Sequence, residues 1–422
     1  LRIPRTLSLS YTVLMNRKPE YILGLSYFGN HESAAALLKD GVLIVAAEEE
    51  RFTRIKGDRS FPSHALALCL AEAQITIHDI DHVGFFWQPW RGVARRVFYA
   101  FRGLPDSLVR GSKNAGILRD LFSAKHELRS KTGYRGQFHF LEHHLTHAAA
   151  TFFSSPFEHA AILSIDGTGE KETCWIGEGA GNTLRKHTAS VWPHSLGHLY
   201  ATATQYLGFK IFEDEYKVMG LAAHGTPEYL DLFRTIIKTE RGVLKTDLRY
   251  VEYHHFKERW FSDQWTTVFG PPRSPHEPLN DRHRNIAASL QKRTAEIVLE
   301  LANYALQATK SDALCLAGGV ALNAVAVGAV AESVGARVYT TPVSGDAGCA
   351  LGSALYLHHH ILGHTARHSL PHAFWGSRYS DATIEQELQK KGLLYIRLNN
   401  VPHHAAQLLS EGRIIGWFQG RA

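Results

Sequence analysis

Short apolar runs alternate with longer amphipathic stretches along the chain, a pattern typical of strands that alternate with helices. Residues 21–26 form the first apolar run. Two further runs, residues 34–38 and 42–47, flank a polar turn at residues 39–41 and predict a hairpin. Strands and helices in alternation predict an α/β architecture.

The same design returns in the middle of the chain. Residues 160–165 form an apolar run, a glycine-containing polar turn follows, and residues 173–177 form the next run. Two copies of strand, polar turn and hairpin predict an internal duplication. Apolar periodicity predicts helices over residues 63–74, 145–153 and 284–306.

The length of 422 residues predicts more than one domain. We expect an N-terminal extension over residues 1–20, a first subdomain over 21–158, a second over 159–365 and a terminal segment over 366–422. The His-rich stretch 358–371 is interpreted as a linker. The chain begins with Leu1 and stops within a strand-like motif, so we expect a fragment whose natural start is Met15.

Composition and net charge are typical of a globular protein and argue against a nucleic-acid-binding one. An apolar fraction of 45% and a charged fraction of 20% are ordinary for a globular protein. The net charge of +6 favours anionic partners such as nucleotides but is too small to indicate nucleic-acid binding. The densest basic stretch, residues 91–135, is interpreted as a solvated helical face.

Cysteine usage and hydropathy indicate the compartment. The four cysteines lie far apart, which argues against a disulfide framework or a cysteine zinc site and fits a reducing cytoplasm. No apolar run reaches the roughly 18 residues of a membrane span, and the N-terminus lacks a signal-peptide pattern. We therefore expect a cytoplasmic protein without a membrane partner.

A cluster of histidines, His143, His144 and His147, opens the second predicted helix. Residues four apart project from one face of a helix, so His143 and His147 can share a metal ion. His144 and His147, three apart, form the competing pair. The chain has 26 histidines, so packed or surface histidines are the alternative to a metal site.

Turns rich in glycine follow several predicted strands. In such turns backbone amides can approach a phosphate closely, and an acidic residue can hold a cation. Asp166 and Asp346 lie in two of these turns. The predicted nucleotide-binding residues are Gly167, Thr168, Gly169, Gly318, Gly319, Asn323 and Gly345. At any single position an ordinary turn is the alternative, and only the set of turns favours a nucleotide.

Three charged residues, Glu213, Glu215 and Lys217, lie together in a largely apolar stretch. Charges that become partly buried need an oppositely charged partner or a ligand. This patch predicts either a contact with an acceptor substrate or a structural ion-pair network, and both interpretations stay open.

Seven segments of the chain resemble the NodU/CmcH-type O-carbamoyltransferases of nodulation-factor and antibiotic pathways. They are AAEEERFTRIKGDRSFP, EHHLTHAAATFF, LSIDGTGE, PHSLGHLYATATQYLGF, EDEYKVMGLAAHG, LAGGVALN and SGDAGCALGSA. The resemblance extends from residue 21 to about 354 and resumes over 412–421. The chain departs from the family's first-loop pattern, HDASAAL, at Glu32 and Ser33.

The resemblance implies a duplicated actin/hexokinase-like core, similar to the tRNA threonylcarbamoyl-transfer subunit, followed by a YrdC-like domain that would begin in residues 366–422. The YrdC-like domain of such enzymes makes carbamoyl adenylate from carbamoyl phosphate and ATP, and the N-terminal domain transfers the carbamoyl group. The family's metal, usually iron, is implied to be held by His143, His147, Asp166 and Asp346. His31 is implied to act in carbamoyl transfer.

The function implied by the resemblance is O-carbamoyl transfer to a hydroxyl of a small-molecule acceptor, a natural product or a sugar. The family continues beyond Ala422 into an arginine motif, so we expect this chain to bind nucleotide without forming the adenylate. A sugar or acetate kinase of the same superfamily is the alternative, although such kinases need no histidine pair. A non-catalytic nucleotide-binding fragment is the third interpretation.

Overall fold

The computed structural model describes residues 18–28, 31–104 and 107–422. Met15 and most of the predicted extension over residues 1–20 lie outside these ranges. Two five-stranded sheets with packed helices form the core of the described chain.

The first sheet has the strand order β3-β2-β1-β4-β5. Its strands are β1 (Tyr21–Ser26), β2 (Ala34–Lys39), β3 (Val42–Glu48), β4 (His82–Phe85) and β5 (Gln137–Phe140). The first three strands are antiparallel, whereas β4 and β5 run parallel to β1. Asp40 and Gly41 connect β2 to β3 with φ angles of 49° and 82°, as a two-residue hairpin turn requires.

The helices of the first half cover the sheet and connect its strands. They are α1 (Glu50–Thr53), α2 (Ser63–Ala73), α3 (Val93–Arg102), α4 (Ser107–Thr132) and α5 (His143–Phe152). Helix α2 confirms the helix predicted over 63–74. Helix α5 begins two residues before the predicted start at 145, so all three clustered histidines are helical.

The second sheet repeats the order of the first, as β12-β11-β6-β7-β8. Its strands are β6 (His159–Ile165), β7 (Glu172–Ala180), β8 (Thr183–Val191), β11 (Ala313–Ala317) and β12 (Arg337–Thr340). Strands β6 to β8 are antiparallel, and β11 and β12 run parallel to β6. These five strands therefore take the places of β1 to β5, which confirms the predicted duplicated α/β core.

The remaining elements connect this sheet and continue into the terminal segment. They are α6 (Leu196–Tyr206), α7 (Glu215–Ala222), α8 (Leu230–Ile236), β9 (Ile237–Glu240), β10 (Val243–Thr246), α9 (Asp263–Phe269), α10 (Asp281–Thr309), α11 (Ala324–Ser333), α12 (Gly348–Tyr356), α13 (Asp381–Lys390) and α14 (Val401–Ser410). Helix α10 contains the helix predicted over 284–306. The prediction of a linker over 358–371 is wrong at its start. Buried residues there continue α12 as a π-helical turn, Leu357–Ile361.

Helices α5 and α12 follow the last strands of their respective halves and pack against each other between the sheets. They approach closely because Gly352 has no side chain: a Cβ at this position would lie 1.8 Å from the Thr146 carbonyl oxygen. Gly24 on β1 leaves similar room for the Ala350 carbonyl oxygen. This packing places the start of α12 beside the histidines of α5.

The terminal segment 366–422 contacts the core at several points. Arg367 Nη1 donates to the Phe157 carbonyl oxygen at 2.6 Å, and Arg421 donates to the Ile44 carbonyl oxygen at 3.2 Å and to Glu72 Oε2 at 3.3 Å. Several of its large apolar side chains are exposed, among them Leu394 and Ile414. Within the described ranges, none of the helices combines the length and the apolar character that crossing a membrane requires.

Candidate metal centre and active-site cavity

Two histidines and two aspartates converge from matching positions of the two halves. His143 and His147 lie one turn apart on α5, and both are buried. Asp346 directly precedes the start of α12, the counterpart of α5. Asp166 follows β6, the counterpart of β1. The duplication therefore brings the end of a strand and the starts of two helices to one point.

The polar atoms of these four side chains are separated like ligands of one ion. His143 Nε2 and His147 Nε2 are 3.1 Å apart, and Asp166 Oδ2 lies 3.0 and 3.1 Å from them. Asp346 Oδ1 lies 3.5 Å from His143 Nε2 and 3.3 Å from His147 Nε2. Ligands bound at about 2.1 Å are roughly 3.0–3.4 Å apart along the edges of an octahedron or tetrahedron.

The donor atoms also fit a divalent metal chemically. Asp346 Oδ1 is buried and has no hydrogen-bond partner in the described part of the chain. The two Nε2 atoms face each other as well as Asp166 Oδ2, and shared protons cannot satisfy all of these contacts. One ion would satisfy all four atoms, and imidazole with carboxylate is a donor set for iron or zinc.

His144 faces away from this cluster. Its Nδ1 lies 2.9 Å from Ser164 Oγ, and its Nε2 lies 3.2 Å from the Glu172 carbonyl oxygen. Both ring nitrogens therefore have partners elsewhere. Of the two histidine pairs left open by spacing alone, His143 with His147 is the pair that converges.

Cys349 contacts the same imidazoles from the opposite side. Its Sγ lies 3.5 Å from His147 Nδ1 and 4.0 Å from His143 Nδ1. A sulfur that accepts from Nδ1–H keeps the proton there and leaves Nε2 free for a metal. Sequence reasoning missed Cys349 because a lone cysteine has no partner motif. Its position three residues after Asp346 was the available signal.

The local charges favour a cation at the centre. Burial alone disfavours a charged imidazole, but Cys349 and Asp166 outweigh it and raise the pKa of His143 to about 10. Burial also opposes ionisation of Asp166, yet the two histidines lower its pKa. The carboxylates therefore favour a cation between them, either a proton on an imidazole or a metal ion in its place.

His31 joins the cluster to the cavity beside it. His31 Nδ1 lies 2.6 Å from Asp346 Oδ2, and its ring packs 5.2 Å from Phe86 and 4.9 Å from Trp87, between centroids. These contacts hold the ring in one orientation. Because Nδ1 is bonded to a carboxylate, Nε2 is the nitrogen left to exchange a proton.

A cavity of about 710 Å³ lies between the two halves, with His31, Asp166 and Asp346 on its wall. The first half contributes a largely apolar side that includes Phe28, Trp87, Val93, Val97, Ala100 and Leu121. The second half contributes Tyr200, Phe212, Tyr216, Met219, Val320 and Leu322. This volume is that of a small-molecule site, and the polar cluster lies where the two sides meet.

Most of the predicted nucleotide-binding residues line this cavity. They are Gly167, Thr168, Gly319, Asn323 and Gly345. Gly169 and Gly318 are not on the cavity wall, and their amides donate to carbonyl oxygens at 2.7 and 2.9 Å. The Asn323 side chain pairs with Gln291 and caps α11, so it holds the loop in place.

The predicted charge patch lies partly on the cavity wall. Glu213 and Glu215 line the cavity, and burial raises the pKa of Glu215. Glu213 Oε1 lies 2.6 Å from Lys210 Nζ, and Lys217 Nζ lies 2.7 Å from Asp214 Oδ1. Glu213 and Lys217 therefore take part in local ion pairs, whereas Glu215 accepts from the Phe212 N–H at 2.8 Å, and both glutamates line the cavity.

The basic stretch 91–135 is not a uniformly solvated face, and that prediction is wrong for Arg91 and Arg96. Both line the cavity, because α3 packs over the turn after β6. Arg91 pairs with Glu142 and with Glu172. The helical spacing of the cavity-lining residues of α3 was a signal for this face.

Arg96 differs from Arg91 because its short hydrogen bonds go to backbone carbonyl oxygens, although the charge of Glu170 also acts on it. Its Nη2 donates to the Gly169 carbonyl oxygen at 2.8 Å and its Nε to the Glu170 carbonyl oxygen at 3.3 Å. It takes part in none of the ion pairs found within the described ranges. Burial lowers its pKa. A sequestered guanidinium of this kind favours an anionic ligand in the cavity.

His198 on α6 is a second residue that sequence reasoning did not assign. Its ring lies beside Gly167, where a Cβ would approach it to 3.1 Å. Burial lowers the pKa of His198 to about 3, and Arg96 adds to the effect. Its buried Nδ1 has no hydrogen-bond partner in the described part of the chain. A neutral imidazole thus borders the turn that carries Asp166.

The sequence profile described as "Carbamoyltransferase N-terminus" matches residues 21–355. The chain belongs to the carbamoyltransferase family. This confirms the family resemblance of the sequence motifs. The matched range contains His31, the four candidate ligands and the glycine-rich turns.

Two curated relatives are longer than the chain. An uncharacterized protein of Synechocystis sp. is 38% identical over 427 residues, covering 95% of this chain and 68% of that protein. Nodulation protein NolNO of Sinorhizobium fredii is 31% identical over 399 residues, covering 93% of this chain and 56% of that protein. The chain therefore spans only part of the length of either relative.

Two solved structures are similar to the chain at low sequence identity. Component A of (R)-2-hydroxyglutaryl-CoA dehydratase from Acidaminococcus fermentans has a TM-score of 0.43 at 16% identity, covering 80% of this chain and 98% of that chain. Full-length HypF has a TM-score of 0.43 at 14% identity, covering 83% of this chain and 47% of that chain.

Proposed function

We propose that this chain transfers a carbamoyl group to a hydroxyl of a small-molecule acceptor, with carbamoyl adenylate, made from carbamoyl phosphate and ATP, as the donor. One observation carries the proposal: His31 Nδ1 lies 2.6 Å from Asp346 Oδ2 on the wall of the cavity. This contact joins a proton acceptor to the candidate metal cluster at a site open to a small molecule.

The proposed reaction replaces one bond to the carbamoyl carbon by another. The acceptor oxygen bonds to that carbon, and the bond from the carbon to the AMP phosphate oxygen breaks. The products are an O-carbamoyl ester, AMP and the proton of the acceptor hydroxyl. His31 Nε2 takes that proton, and Asp346 stabilises the resulting imidazolium through Nδ1.

The candidate ligands His143, His147, Asp166 and Asp346 would hold a divalent ion, and the family resemblance favours iron. When bound, such an ion supplies Lewis-acid stabilisation of negative charge on the donor. Cys349 orients the imidazoles from the side away from the cavity. Asp346 has two tasks, because Oδ1 faces the imidazoles and Oδ2 faces His31.

The cavity walls suggest where donor and acceptor bind. The turn with Gly167 and Thr168 exposes backbone near Arg96, and this combination suits the phosphate of the adenylate. Aromatic side chains of the second half offer surfaces for the adenine ring. The apolar wall of the first half, with Trp87 and Val97, is then left for the acceptor.

The test supplies synthetic carbamoyl adenylate to the 422-residue chain loaded with ferrous iron, together with a panel of sugars and polycyclic alcohols. AMP release and an acceptor mass increase of one carbamoyl group are the expected results. His31→Asn should lose both. The matched control is His64→Asn, because His64 forms another 2.6 Å contact with a carboxylate, Glu49, outside the cavity.

The same panel with ATP alone tests the kinase alternative. Transfer of phosphate from ATP to an alcohol, without carbamoylation from the adenylate, would overturn the proposal. A folded, metal-loaded chain that releases AMP no faster than His31→Asn with every acceptor class would count equally against it.

A further inference from the structure

A second cluster of metal-binding side chains lies away from the cavity. Glu20 Oε2 is 3.1 Å from His364 Nε2 and 3.5 Å from His358 Nδ1. The three candidate ligand atoms all lie within 4.8 Å of one another. We propose that Glu20, His358 and His364 form a second metal site, which binds a divalent first-row ion such as zinc.

His358 provides an independent reason to expect a ligand. Its side chain is 5% exposed, and its Nδ1 has no hydrogen-bond partner in the described part of the chain. Its other ring edge packs on Gly41, where a Cβ would lie 2.2 Å from Nε2. The ring is thereby held with Nδ1 towards Glu20, and a buried nitrogen without a partner is costly unless a ligand binds it.

The charges of the cluster suit a cation. The ion pairs of Glu20 within the described ranges involve only these two histidines. Neutral imidazole is the form that coordinates metals. The cluster offers one carboxylate and two imidazoles, a donor set that suits a divalent first-row ion.

Hydrogen bonds hold the backbone around the candidate ligands in place. Asn182 Nδ2 donates to the carbonyl oxygens of His359 and Gly363 at 3.3 and 3.1 Å. The His364 N–H donates to the His358 carbonyl oxygen at 3.2 Å. The two ligand rings are stacked, with centroids 4.3 Å apart and planes 18° apart. A shared ion requires a turn of the His364 ring, which is 30% exposed.

The second site lies at the far ends of elements that reach the first. Glu20 precedes β1 and His31 follows it, and α12 begins beside Asp346 and ends before His358. A six-residue strand spans about 20 Å. The two sites are therefore separate. A metal ion at the second site would connect the π-helical turn to the start of β1, close to where the terminal segment begins. It does not depend on the proposed reaction.

Metal stoichiometry tests this site. The chelator-stripped chain is titrated with Co²⁺, and bound ions are counted by elemental analysis after desalting. We expect two ions for the unsubstituted chain, one for His364→Ala and one for a double variant with His143→Ala and His147→Ala. His276→Ala, which removes an exposed loop histidine, should retain two. Co²⁺ should also raise the melting temperature of the double variant.

The outcomes separate this site from the candidate catalytic centre. Two ions in His364→Ala, or none in the folded double variant, overturn the second site. One ion in the unsubstituted chain that persists in the double variant and is lost in His364→Ala supports it and counts against the metal of the proposed function. Should His364→Ala fail to fold, Glu20→Gln keeps the side-chain shape, and the same loss of one ion is expected.

Discussion

His31 Nδ1 and Asp346 Oδ2 lie 2.6 Å apart although 315 residues separate them in the chain. The other carboxylate oxygen of Asp346 lies 3.3 Å from His147 Nε2. One side chain therefore connects the residue proposed to accept a proton with the residues proposed to bind metal. Because the two contacts use different oxygens of Asp346, substitution of His31 and substitution of a metal ligand should have different effects.

Substitution of His31 should remove proton transfer and leave the metal in place. We expect His31→Asn to lower kcat for carbamoyl transfer by about 10²- to 10⁴-fold. Metal content should stay at the unsubstituted value, because His31 contacts Asp346 through the oxygen that faces away from the imidazoles. Parallel kinetics and elemental analysis check both. Loss of metal in His31→Asn would show that His31 is a ligand instead.

Substitution of His147 should have the opposite pattern. We expect His147→Ala to lose the ion of the catalytic cluster and, with it, transfer activity, since His147 Nε2 lies within 3.3 Å of both aspartates. Cys349→Ser should retain the ion but bind it roughly 10- to 100-fold more weakly, because serine orients the imidazoles less well. Competition with a chromophoric chelator measures both affinities. Equal affinity in Cys349→Ser and the unsubstituted chain would refute the orienting role.

The cavity arginine should bind an anion. We expect Arg96→Ala to weaken AMP binding by at least tenfold, because a charge-assisted contact to phosphate contributes roughly 1.5–3 kcal/mol. Arg102→Ala, at the exposed end of the same helix, is the matched control and should bind AMP normally. Isothermal titration gives both constants. Metal content must be equal in the two variants, since Arg96 also contacts the turn after Asp166.

The close packing of α5 on α12 should tolerate no side chain at Gly352. A Cβ there would lie 1.8 Å from the Thr146 carbonyl oxygen, so Gly352→Ala must push the helices apart. We expect a loss of about 1–3 kcal/mol in the free energy of unfolding, together with weaker metal binding. Gly328→Ala on α11, where an added Cβ meets nothing within 4 Å, should be neutral or stabilising. Denaturant titrations compare the two, and equal stabilities would contradict the packing argument.

Acid should destabilise the fold through buried histidines such as His254. Burial, with His255 adding, lowers the pKa of His254 from 6.5 to about 4. Between these values the unfolded chain binds a proton that the folded chain does not, so stability falls as pH falls. Proton binding by His254 in the unfolded chain lowers the free energy of unfolding by about 2 kcal/mol between pH 6.5 and 5. His254→Phe should remove this share of the pH dependence, and His276→Ala should not. Unfolding titrations at both pH values test it.

The sequence alone determined the local elements and the family. The alternation of apolar and polar positions located β1 at Tyr21–Ser26 and the helix that became α10, because these periodicities follow directly from strand and helix geometry. The repeated strand, turn and hairpin revealed the duplication. The motifs were specific enough to identify the carbamoyltransferase family, which the match over residues 21–355 confirms.

Only the tertiary structure decided which side chains meet. Spacing left His144 as a possible ligand, and its contact with Ser164 Oγ now turns it away from the cluster. Arg96 belonged to an apparently solvated basic stretch, and Cys349 lay in a family segment without an assigned role. Arg96 reaches the cavity because α3 folds over the turn after β6, and Cys349 reaches His147 because α12 packs against α5 at Gly352. Such contacts depend on how distant elements pack, and local periodicity carries no information about that packing.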